Sequence, residues 1–192
     1  MATEEFNILD TIIAKWRLSR VVQTIQPGSR LLDLGCGTQL YLLRYVSNII
    51  NEGVGIDFYH KKLALIKQSN IKYVQWNGKN ELPLPPRSFD TVTLLAVIEH
   101  IPLENVEAEL KEMKRVLKKK GKIVLTTPTP LGKIVLEFLA FRLRVISEKQ
   151  ISDHKKYYTK SDFESLCKKV GLKLVTYQTF QLGCNSYVVL EK

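Results

Sequence analysis

The chain has no apolar run of about 18 or more residues, so it predicts no membrane span. Its first residues, Met1-Ala-Thr-Glu-Glu5, carry neither the basic start nor the apolar stretch of a secretion signal. Cysteine is scarce: Cys36, Cys167 and Cys184 are odd in number and widely spaced. That set fits a reducing cytoplasm, and it gives no metal-ligand spacing, so no metal ion is expected. No internal repeat or low-complexity tract is present. Acidic residues are also short, with 19 against 29 basic ones and a net charge of +10. All of the excess lies between residues 111 and 173, which hold 17 Lys or Arg and 6 Asp or Glu. An acidic partner would explain it: nucleic acid, an anionic lipid surface or a phosphorylated substrate. Solvated helix faces would explain it equally well. At 192 residues and 45% apolar content, one domain with a sizeable core is expected.

What is present centres on Leu31-Leu-Asp-Leu-Gly-Cys-Gly-Thr38. An apolar run meets an acid, then a Gly-x-Gly turn, then a helix-like run, which reads as strand, turn, helix. Gly35 and Gly37 allow a sharp turn and close approach to a ligand. The free N–H groups of the following helix point at the same place. Asp33 suits a ligand with positive charge or a diol better than a bare phosphate. Twenty residues after Gly37, a second apolar run ends in Asp57. Together the two acids suggest a nucleoside cofactor that also carries an ammonium group, S-adenosylmethionine.

Along the chain, apolar spacing predicts a helix within 4–25, stopped by Pro27-Gly28. Strands are expected near 30–34, 53–57, 71–76, 89–95 and 121–126, and helices near 39–48, 60–69 and 103–118. The alternation argues for an α/β fold with a parallel sheet and helices on both faces. Beyond Pro128 and Pro130 a dense apolar segment runs over 131–146. A helix near 160–170 ends at Gly171. Two β-rich runs, 172–180 and 185–190, meet at Gly183-Cys184-Asn185, short enough for an antiparallel hairpin.

These motifs, in this order, resemble the class I S-adenosylmethionine-dependent methyltransferases, in particular the small-molecule, type 11-like enzymes. The resemblance covers nearly the whole chain. Leu31–Thr38 looks like the family's first motif and Gly55-Ile-Asp57 like its acidic second-strand end. Leu82-Pro-Leu and Ser88-Phe-Asp-Thr-Val lead into the fourth strand. Val97-Ile-Glu-His-Ile101 is similar to the Glu-His signature of enzymes such as those of quinone biosynthesis. Arg115–Pro128 resembles the helix, turn and fifth strand. Two departures stand out. Gln39 replaces a third glycine, and Asn77-Gly78 replaces an Asp-Ala pair. The resemblance implies a Rossmann-like sheet of seven mostly parallel strands with an antiparallel last strand. It also implies one domain over 1–192, with an N-terminal helix in 1–26 and a helical lid inserted over 128–156, after strand 5.

Within that reading, Asp57 would accept both ribose hydroxyls, since a carboxylate has two oxygens for a cis-diol. Asp33 would hold the methionine ammonium, or else cap a helix. Gly35, Cys36 and Gly37 would admit the cofactor, with Cys36 a small turn residue rather than a nucleophile. Phe58 would stack on the adenine or sit in the core. Asn77 and Gly78 would meet the adenine edge, and Ala96 would let the methionine part pass. His100 is the candidate general base, or a brace for its loop. Glu99 would orient it or cap the next helix.

In the lid, Arg142 interrupts the apolar arc and would snorkel or hold a substrate phosphate or carboxylate. The segment 131–146 is read as a roof over the acceptor; a peripheral membrane grip or a dimer contact is the rival. His154 and Tyr158, in a His-Tyr segment like one found in many of these enzymes, would reach the acceptor or brace the fold. The lid, this segment and 180–185 also look similar to methyltransferases encoded among polysaccharide-assembly enzymes, hence a sugar-linked acceptor. The expected reaction is methyl transfer to a small, anionic or sugar-linked molecule, chiefly at oxygen, leaving S-adenosylhomocysteine. A nicotinamide oxidoreductase would want Gly at position 40, where Leu40 stands. An RNA-modifying enzyme and a non-catalytic cofactor-binding partner protein remain as alternatives.

Overall fold

The computed structural model describes residues 8–58, 66–76, 78, 81–137 and 153–192. Seven strands form one sheet: β1 Arg30–Leu34, β2 Glu52–Asp57, β3 Ile71–Gln75, β4 Phe89–Leu95, β5 Leu117–Pro128, β6 Lys173–Phe180 and β7 Asn185–Glu191. Their order is β3-β2-β1-β4-β5-β7-β6. The first five pair in parallel, and β7 lies antiparallel to both β5 and β6. The expected seven-stranded Rossmann-like sheet with an antiparallel last strand is therefore present.

The central strands are near-continuous apolar runs because both of their faces are covered. Leu32, Leu34, Val92 and Leu94 face one cluster with Val106, Leu110 and Met113 of α3 (Leu103–Val116) and Phe163 of α5 (Lys160–Val170). Leu31, Val124 and Val189 face the other, with Val21 of α1 (Ile8–Val22) and Leu42, Leu43 and Val46 of α2 (Tyr41–Val46). The β6–β7 turn falls on Gln181–Cys184, and the hairpin anchors α4 (Pro130–Glu137). Thr129 donates to the Gly183 carbonyl at 2.7 Å, and the Gly132 amide donates to the Thr129 hydroxyl at 3.0 Å.

Two expectations shift. Strand β5 begins at Leu117, four residues early, because Leu117 pairs with Phe89 before an irregularity, with Lys120 at φ +64°, shifts the register to Lys122 opposite Thr91. Residues 66–70 are irregular chain and turn rather than helix, and the rest of the helix expected near 60–69 lies outside the described residues. So does the lid beyond Glu137.

Candidate active site

The carboxyl ends of β1, β2 and β4 converge on the glycine turn. Gly35 and Gly37 both have left-handed φ, +71° and +65°, which glycine adopts without strain. The Gly35 amide donates to the Ile56 carbonyl at 2.8 Å. A Cβ at Gly35 would overlap Val97, so the turn packs directly on the chain leaving β4. Gly55 is bare for a related reason: a Cβ there would come within 2.6 Å of Leu40 and 2.8 Å of the Cys36 sulfur. The permissive backbone position sits at Leu40, φ +52°, not at Gln39 where the glycine departure was noted. Burial first, then the nearby Asp33 and Asp57, pushes the Cys36 thiol well up, which removes it as a nucleophile.

Asp57 bridges the turn. One oxygen accepts the Gly37 amide at 2.8 Å and the other the Phe58 amide at 2.7 Å. A carboxylate with two oxygens is the group that a cis-diol requires. Asp33 faces Thr93 across the β1–β4 register and accepts its hydroxyl at 2.6 Å. It does not cap a helix. Burial raises its carboxyl to about 7 against the Thr93 hydrogen bond, with Asp57 adding repulsion. Two buried acids this close favour a ligand that brings positive charge.

Phe58 is 57% exposed, so it is not a core residue. Its ring lies 6.0 Å from Trp76, at the exit of β3, and over Gly78, where a Cβ would sit 2.5 Å from it. Trp76 was not singled out from the sequence; its place at the end of a strand beside Asn77 was the available signal. Asn77 itself lies outside the described residues, as does Arg142. Ala96 ends β4 with φ +55°, a strained value for a residue with a Cβ, while its amide donates to the Thr126 carbonyl at 2.8 Å.

On the far side of Val97, the structure brings His100 and His154 together, ring centroids 4.7 Å apart. Their segments are stitched by the Lys155 amide donating to the Glu99 carbonyl at 2.6 Å. Burial lowers His100, opposed by Asp153. Burial, then His100, lowers His154 to about 4. Both rings are therefore neutral bases near pH 7. Glu99 is 1% exposed and does not cap α3, whose N-cap is Pro102 without a side-chain bond. Burial raises Glu99 to about 7, with the nearby Arg17 acting against it.

Tyr158 is a correction. It is 2% exposed and packs on Phe163 in the core, 5.4 Å between ring centroids. Its neighbour Tyr157 stands beside His154 instead, with its hydroxyl 2.9 Å from His154 Nδ1. Lys133 of α4 lies over the Tyr157 ring at 5.7 Å, so the first turns of the expected lid border this corner. No metal was expected from spacing, yet Glu99, His100 and His154 place one donor atom each within 4.8 Å of one another.

Strand order, glycine turn and the acids at two strand ends define the class: Rossmann-like S-adenosylmethionine-dependent methyltransferases. The methyltransferase domain family matches residues 9–177, and the chain belongs to that family. A demethylmenaquinone methyltransferase of Bacillus cereus is 29% identical over 147 residues, covering 68% of this chain and 61% of the relative. The chain thus spans about three fifths of the length of the curated relatives it matches. Among solved structures, an S-adenosylmethionine-dependent methyltransferase from Mesorhizobium loti aligns with TM-score 0.71 at 16% identity, over 93% of this chain and 98% of that one. A chain from the Haloferax volcanii complex of the Trm112 methyltransferase activator aligns with TM-score 0.73 at 16% identity, over 93% and 88%. Among the described residues no helix is long and apolar enough to cross a membrane.

Proposed function

We propose that the chain transfers a methyl group from S-adenosylmethionine to an oxygen of a small, anionic or sugar-linked acceptor. The observation that carries this reading is Asp57, held against the Gly35–Gly37 turn through the Gly37 amide, beside the buried Asp33. The donor set fits the cofactor: Asp57 for the ribose diol, Asp33 for the ammonium, and the Gly35, Cys36 and Gly37 backbone for the chain between. Phe58, Trp76 and Gly78 offer an aromatic face and a bare edge for adenine. When bound, the cofactor supplies an electrophilic methyl on a sulfonium.

The protein's own part is chiefly alignment, because in-line displacement depends on placing acceptor and methyl together. Ala96 keeps bulk away from the end of β4. His100, neutral and exposed, takes the proton from an acceptor hydroxyl. The lid, with Arg142, closes over the acceptor and holds its anionic group. The Bacillus cereus relative, a demethylmenaquinone methyltransferase, supports a small-molecule acceptor over RNA. The Haloferax complex with an activator keeps a protein partner in view; cofactor affinity without turnover is the signature of that alternative.

Calorimetric titration of S-adenosylmethionine and S-adenosylhomocysteine tests the reading. Micromolar binding is expected, weakened at least about tenfold in Asp57→Ala, since hydrogen bonds to a charged group contribute roughly 1.5–3 kcal/mol. A folded wild type that binds neither compound overturns it.

A further inference from the structure

We propose that Glu99, His100 and His154 form a binding site for a divalent transition-metal ion, with open coordination positions for an oxygen of the acceptor. The three donors come from two segments, the short helical turn after β4 (Ile98–His100) and the approach to α5, and lie within 4.8 Å of one another. Two neutral imidazoles and one carboxylate are the set that binds zinc-like ions with positions left for water or substrate.

The surroundings match that role. Metal-binding histidines hold one ring nitrogen on a second group, which orients the ring and presents the other nitrogen. His154 Nδ1 meets the Tyr157 hydroxyl at 2.9 Å, which leaves Nε2 as the remaining donor. His100 is held by the backbone of Asp153. Glu99 Oε2 is fully buried and makes no hydrogen bond of good geometry; the Thr127 hydroxyl is the side-chain donor acting on this carboxylate, and an ion would complete its partners. Its one cationic neighbour among the groups acting on its charge is Arg17, itself shifted down by burial.

Donor atoms around one ion at about 2.0–2.1 Å stand about 3.0–3.4 Å apart, so closure needs the exposed His100 ring and the partly exposed His154 ring to rotate inward. The ion would sit beyond Val97 from the glycine turn, on the acceptor side. There, with His100 a ligand rather than a free base, the ion would lower the pKa of an acceptor hydroxyl so that its proton passes to solvent water, and it would favour acceptors with a second oxygen to chelate. That consequence rests on the methyltransferase reading; metal binding itself does not.

The test uses the full chain, stripped with chelator and titrated with Co²⁺ alone, followed by visible absorption, with Zn²⁺ calorimetry in parallel. One ion per chain is expected, with d–d bands and no thiolate charge-transfer band. Affinity should fall at least about tenfold in His100→Ala and in His154→Ala, and hold in His60→Ala, the third histidine of the sequence. Wild-type melting temperature with Co²⁺ against chelator reads the same binding should a variant fail to fold. Absence of binding to the wild type overturns the site, as does binding that survives both histidine variants or shows thiolate charge transfer. S-adenosylmethionine titration of the same sample separates the two failures: cofactor without metal sinks this site alone, and metal without cofactor sinks the methyltransferase reading alone.

Discussion

Asp33 shows at residue scale how a site costs stability. Its carboxyl is 4% exposed and raised to about 7, so the apo protein holds an acid that resists ionising. An acid raised on folding contributes stability that is fully present below its unfolded value of about 3.9 and lost as pH rises through about 7. Asn at this position keeps an oxygen for the Thr93 hydroxyl and removes the charge. Asp33→Asn should therefore raise the melting temperature at pH 8 by roughly 5 °C or more, since each kcal/mol moves a domain of this size about 2–4 °C. The gain should shrink as pH falls from 7 toward 4. The same variant should bind S-adenosylmethionine at least about tenfold more weakly, because the ammonium loses its counter-charge. Thermal melts across pH, paired with calorimetry, check both; a variant no more stable at pH 8 would remove the strain argument. Asp33, Asp57 and the glycines were legible because each sits at the end of an apolar run, where pattern alone fixes position. Tyr157 and Tyr158 were not distinguishable: they lie in a stretch without helix or strand, where no period tells which of two neighbours points inward.

Elements were legible where periodicity was strong. The five parallel strands and the terminal hairpin follow from apolar runs bounded by Gly, Pro and Asn. The pairing of the turn after β4 with the segment before α5 was not, because 54 residues separate His100 from His154 and only the sheet order places them side by side. Nor did spacing reveal how α4 is docked. Gly132 lies so close to the β6–β7 turn that a Cβ would overlap the Cys184 carbonyl oxygen, and both atoms' carriers are backbone. Neither can swing aside as a side chain would. Gly132→Ala should therefore cost about 1–3 kcal/mol, the range for overpacking, although alanine ordinarily favours a helix. Its effect should be local to α4 and the β6–β7 turn: cofactor affinity holds, while limited proteolysis at α4 accelerates. Denaturant melts and timed proteolysis check this; an unchanged midpoint would show that α4 can shift freely on the hairpin.

At the scale of the whole molecule, a net charge of +10 invites an RNA reading. Part of the basic set is engaged within the fold, although the net excess already counts every acidic partner. Lys118 pairs with Asp90, Lys156 with Asp162 and Lys169 with Glu107. Arg115 binds Glu112 and the carbonyls of Leu82 and Leu84, and Lys114 donates to the Val170 carbonyl. Lys169–Glu107 and Lys114–Val170 tie α5 to α3, and Lys118–Asp90 ties β5 to β4. Each exposed pair contributes little to stability, about 0–1 kcal/mol, but each also neutralises a cation that a phosphate would need. A protein that grips RNA through 6–10 phosphates loses about 10³–10⁵ in affinity between 50 and 200 mM salt. For this chain, filter binding of structured RNA should give a shallow slope, on the order of one to three phosphates, and dissociation constants no tighter than about 10⁻⁵ M at physiological salt. Submicromolar binding with a steep slope would move the acceptor from a small molecule to RNA, and the basic half of the chain would then be its docking face.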